Sequence, residues 1–205
     1  SIGGNLTVTG TIGATSSISA SSFSTSGTYD NVFVGKGIET TTTASYNVII
    51  GYQAGYTMDD GGADYNTFIG YRSGYTNNTG NFNTGIGEGT LYLNLSGGNN
   101  IAIGPEALYY NTTGNYNVAI GVLALMSNTT GNSNIAIGDY ALDNNITGSY
   151  NTAIGEVAGG NAIGDGGVFI GYRAGSNETD ADKIYIENSN SSTPLIYGSF
   201  SDDYV

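Results

Sequence analysis

The chain has 205 residues and a formal net charge of −13, from four Lys+Arg against 17 Asp+Glu, with no histidine or cysteine. That balance disfavours nucleic acid and anionic membranes, which are held by cationic side chains. The missing residue types remove disulfides, thiolate chemistry, the commonest zinc ligands and the commonest general base.

Glycine accounts for 34 residues, yet Ile, Val, Phe and Tyr recur at fixed register, which a solvated low-complexity tract has no reason to keep. Long helices are not expected where Gly, Asn, Thr and β-branched residues dominate. No apolar run is long enough to cross a bilayer, so this segment is not expected to insert into a membrane.

Residues 1–28 come first. Asn5–Ile12 alternates apolar and hydroxyl residues, the period of an extended strand, and a Ser/Thr-rich run follows. This stretch reads as a connector or stalk strand that pairs with other chains. A start at Ser1 reads as a processed product or a piece of something longer.

Residues 29–176 are a tandem array. Asn117-Val118-Ala119-Ile120-Gly121 recurs as Asn134–Gly138, Asn100–Gly104 and Asn151–Gly155, and more loosely elsewhere. The closing glycines stand at 35, 51, 70, 87, 104, 121, 138, 155 and 171, so most rungs are 17 residues long. That period suits one coil of a parallel β-solenoid, and nine rungs at about 4.8 Å would make a rod about 40 Å long.

Val and Ile share one face of each strand, while Asn and Ala share the other. The Ile column, Ile50, Ile69, Ile86, Ile103, Ile120, Ile137, Ile154 and Ile170, is expected inside the coil or at a subunit axis. The opposite face is also mainly apolar (Phe33, Ile49, Phe68, Ala102, Ala119, Phe169), and is expected to be covered by copies of the same chain. The ladder asparagines, from Asn47 to Asn151, are expected to bond amide to amide along the rod. Asp59-Asp60-Gly61-Gly62 reads as a loop insertion in the one rung of 19 residues; with Asp64 it does not match the spacing of a calcium loop.

Residues 177–205 break the period. Lys183–Glu187 and Pro194–Gly198 read as two strands around a Ser/Asn turn, a C-terminal β neck.

Two further patterns are candidates for function. Asn77, Asn94, Asn111, Asn128 and Asn145 each open an Asn-x-Ser/Thr triplet, 17 residues apart, and Asn5, Asn177 and Asn190 open others. They are possible N-glycosylation sites, although Asn-Thr-Thr-Gly is good turn chemistry regardless. Tyr52, Tyr71 and Tyr172 follow closing glycines and are possible glycan-stacking aromatics; the alternative is that they cap corners and pack between rungs. Carboxylates are scattered without a recurring pair, and no glycine-rich turn is followed by Lys-Ser/Thr, so no catalytic residue, metal or cofactor is assigned.

The repeated Asn-Val-Ala-Ile-Gly followed by x-x-Ala resembles the head repeats of trimeric autotransporter adhesins and related repeats in phage tail fibres. The resemblance covers residues 29–176, with longer rungs here. It implies a left-handed β-roll, three chains to a rod, and a binding or structural role without catalysis. The expected function is therefore a structural or adhesive segment of an extracellular trimeric fibre, on a virion tail or a cell surface, with a cell-surface glycan or protein receptor as partner. The alternative is a subunit of a glycosylated extracellular filament, joined by strand exchange through the N-terminal segment.

Overall fold

The computed structural model describes residues 31–37, 44–58, 62–189 and 193–202. The strand expected at Asn5–Ile12 and the acidic insertion at 59–61 lie outside them. Nine three-residue strands, β1 (Val32–Val34), β2 (Val48–Ile50), β3 (Thr67–Ile69), β4 (Thr84–Ile86), β5 (Ile101–Ile103), β6 (Val118–Ile120), β7 (Ile135–Ile137), β8 (Thr152–Ile154) and β9 (Val168–Ile170), stack in chain order. Each pairs in parallel with the next, so the chain is a parallel β-solenoid. Register is one-to-one: Ile103 lies beside Ile120 and Ile120 beside Ile137. The expected terminal pair is β10 (Lys183–Ile186) and β11 (Ile196–Ser199), which continues the sheet, β10 parallel to β9 and β11 antiparallel to β10.

The rest of each rung is bent backbone rather than strand, yet it stays bonded to its neighbours. Leu108 N–H donates to the Ala124 carbonyl and Tyr110 N–H to that of Met126, so rung-to-rung pairing runs around the coil. The closing glycine makes the sharpest corner. Gly121 has φ of 135°, and a Cβ there would sit 2.6 Å from the carbonyl of Gly138 in the next rung. Only glycine fits both the angle and that approach.

The structure corrects which face is inside. The middle strand residue points inward: Ile49, Phe68, Ala102, Ala119, Ala136, Ala153 and Phe169 are fully buried. The Ile column points outward, with Ile86, Ile137, Ile154 and Ile170 exposed and Ile50, Ile69, Ile103 and Ile120 half-buried. The reason is volume. Leu91, Leu108, Leu125 and Leu142 come in from the bent arc and fill the coil, leaving room opposite them only for Gly or Ala.

Where the strand supplies a large residue instead, the arc supplies glycine. Phe68 faces Gly74, where a Cβ would lie 2.5 Å from the ring. The same exchange joins Ile49 to Gly55 and Phe169 to Gly175. Leu108 and Leu125 hold φ near 53°, as does Gly55 at 55°, so the backbone is the same in both kinds of rung. A left-handed leucine costs about 1 kcal/mol or more, set against about 1.5–3 kcal/mol for burying its side chain.

Candidate functional site

Two asparagine columns line the interior. In the ladder column, Asn117 N–H and Nδ2 both donate to Asn100 Oδ1, at 3.0 and 3.2 Å, and Nδ2 also donates to the Gly131 carbonyl at 2.9 Å. Asn134 repeats the arrangement on Asn117. The amide-to-amide bonding expected from the repeat is therefore present, as an inner column.

The second column is the glycosylation series, and here the expectation is overturned. Asn77, Asn94, Asn111, Asn128 and Asn145 are all fully buried. Asn111 Nδ2 donates to Asn94 Oδ1 at 2.7 Å and to the Gly114 carbonyl at 3.0 Å, closing its own turn. Gly131 O accepts from both columns, Asn117 Nδ2 and Asn128 Nδ2. A glycan needs that nitrogen in solvent, and these point into the coil. The column ends where Ala162 replaces asparagine, and the Oδ1 atoms of Asn128 and Asn145 have no donor. Asn177 is exposed, whereas Asn5 and Asn190 lie outside the described residues.

Outside the coil, aromatic side chains stack along the rod. Tyr56, Tyr75, Tyr92 and Tyr109 form one column, with successive centroids 4.8–4.9 Å apart. Tyr46, Tyr65 and Phe82 form a second. Of the candidate glycan-stacking residues, Tyr52 and Tyr71 lie against each other at 5.8 Å, and Tyr71 also carries the Arg72 guanidinium 5.0 Å from its centroid. Tyr172 carries Arg173 in the same way at 5.3 Å. Each of these rings packs on a neighbouring side chain and remains exposed on its other side.

A cleft of about 140 Å³ opens beside this aromatic column, lined by Tyr71, Arg72, Glu88, Gly89, Tyr92, Glu106 and Tyr109. The sequence reading missed it. Its signal is Gly89, which, like Gly37, stands in a column otherwise built of Gln53, Arg72, Glu106, Leu123, Tyr140, Val157 and Arg173, these seven with φ of 54–58°. Burial, with the neighbouring Tyr92 and Tyr110 hydroxyls and Glu106, pushes the Tyr109 hydroxyl up, so it stays protonated at neutral pH.

At the C-terminal end Tyr185 stacks on Phe169 at 6.0 Å and caps the core. Its hydroxyl donates to Glu178 Oε2 at 2.7 Å. Burial alone would raise the Glu178 carboxyl. Hydrogen bonds from Asp180 N–H, the Tyr185 hydroxyl and Thr179 N–H, with Lys183 nearby, outweigh it and hold the carboxyl below its ordinary value.

Among the described residues no three His, Cys, Asp or Glu side chains cluster to hold a metal, and no helix is long and apolar enough to cross a membrane. No family model, curated protein or solved structure matches the chain.

Proposed function

We propose that this chain is a structural and adhesive segment of an extracellular fibre, assembled as three parallel copies around an axis and acting without catalysis. The observation that carries this reading is the outward face of the sheet. Two columns run its whole length, one of Val, Thr and Ile from Val32 to Ile184 and one of Val and Ile from Val34 to Ile186, and neither contains a charged residue. On a chain of net charge −13, such a stripe is an uncovered apolar surface of the kind that marks an interface.

A second copy suits it because the rung spacing is identical, so side chains meet in register along the full length when the axes are parallel. The subunit axis thus remains the place for the Ile column, now on the outer face of the coil. The resemblance of the Asn-Val-Ala-Ile-Gly repeats to adhesin heads and tail-fibre repeats supports three copies and a location on a cell or virion surface.

Solution mass tests the reading. Three chains of 21.0 kDa are expected for the parent at micromolar concentration. Ile120→Asp, which puts a carboxylate in the contact, is expected to release folded monomers. A parent mass of 21.0 kDa with intact β circular dichroism removes the trimer.

A further inference from the structure

We infer that the cleft at Gly89 is a binding site for a neutral saccharide unit. This deepens the adhesive part of the reading above and rests on it.

The cleft exists because one side chain is missing. At Gly89 the column of corner side chains is interrupted, with Arg72 in the rung before and Glu106 in the rung after. A Cβ at Gly89 would touch the Tyr109 ring at 3.3 Å and Glu106 Cγ at 3.5 Å, so a larger residue would fill the space. The backbone does not demand glycine here, since Gln53 and Leu123 hold the same left-handed angle elsewhere in the column. Gly37 holds the same place in the first described rung, but among the described rungs it is at Gly89 that the glycine stands between two long side chains, Arg72 and Glu106.

Its lining selects a chemical class. Glu88 and Glu106 present carboxylates that accept hydrogen bonds from hydroxyl groups. Arg72 donates from the other side, its Nε held by Gln53 Oε1 at 2.9 Å and its guanidinium laid over Tyr71 and Tyr75. Tyr92 and Tyr109 add hydroxyls and aromatic carbon. A neutral polyol satisfies donors and acceptors together and covers the ring carbons with its C–H groups. An anion meets two carboxylates on a strongly acidic chain, and a bare cation finds only two carboxylates and an arginine. The volume, about 140 Å³, limits the contact to a single small unit.

Saturation-transfer NMR on the assembled parent tests this, with glucose, galactose, mannose and N-acetylglucosamine as probes and their β-linked trisaccharides beside them. At least one probe is expected to bind with a dissociation constant on the order of 1 mM, the range open to a ligand of this size. Gly89→Gln, which copies the residue at position 53, is expected to weaken that binding at least tenfold. Glu106→Gln, an exposed change that does not touch the core, is expected to do the same, and Leu123→Gln in the same column is expected to change nothing. Absence of saturation transfer from every probe at 10 mM (roughly ten times the expected constant) overturns the inference, as does equal binding by Gly89→Gln and parent. Binding of N-acetyl-lysine amide in place of the sugars, with the same loss in Gly89→Gln, overturns the ligand class. Failure of the fibre reading shows separately, as monomer mass.

Discussion

Asn117→Asp tests whether the asparagine ladder is buried inside the coil. The substitution keeps the shape and changes one atom, Nδ2, which donates at 3.2 Å to Asn100 Oδ1 and at 2.9 Å to the Gly131 carbonyl. An ionised aspartate would set one oxygen against those two acceptors in a fully buried position, while the other still accepts from Asn134. The folded state is expected to keep the proton instead. An unfolded aspartate titrates near 3.9, so holding the proton at pH 7 costs roughly 1.36 × 3.1, or about 4 kcal/mol.

Below that unfolded value the cost disappears, leaving one lost donation of about 1 kcal/mol. The folded pKa is raised, so stability present at low pH is lost as pH rises. Urea denaturation of parent and variant from pH 3 to pH 7 measures it, as a gap widening by about 1.4 kcal/mol per pH unit above about pH 4. The exposed Asn78→Asp is the control and is expected to stay flat. A gap for Asn117→Asp that does not change with pH would refute the buried ladder.

The exchange of large and small residues predicts a coupled pair: Phe68→Ala is expected to cost about 3–5 kcal/mol and Gly74→Leu to block folding, yet the double variant should be more stable than Gly74→Leu alone, as a double-mutant cycle by chemical denaturation would show. Rods purified from a host that glycosylates Asn-x-Ser/Thr are expected to carry no sugar at Asn77, Asn94, Asn111, Asn128 or Asn145, because those amides are sealed. Peptide mass spectrometry reads this, and a glycan at Asn111 on a chain with parental circular dichroism would contradict it. Glu178 is held below its ordinary value of 4.5, so its charge stabilises the terminal hairpin above that pH and the benefit fades as pH falls through the lowered value. Glu178→Gln should therefore melt slightly below the parent at pH 7, and the difference should shrink as pH is lowered through and below the ordinary glutamate range.

The repeat by itself determined the architecture. A strand triplet closed by glycine every 17 residues allows one stacking, and β1–β9 fall on those triplets. The terminal hairpin was legible for a similar reason, since two apolar runs flank a cluster of turn formers. Which face was inside was not legible, because Ile120 and Ala119 are both apolar and hydrophobicity favours the larger. The tertiary structure decides it through cross-section: a 17-residue coil holds one Leu125 against one Ala119, and two isoleucine columns would not fit. The reciprocal exchange of Phe68 with Gly74 was in the sequence, and would have revealed the inward face if residues six apart had been compared. The glycosylation column failed on direction. A triplet gives the identity of Asn111, but only the closed coil shows that its amide turns inward, where Nδ2 donates to the buried Gly114 carbonyl.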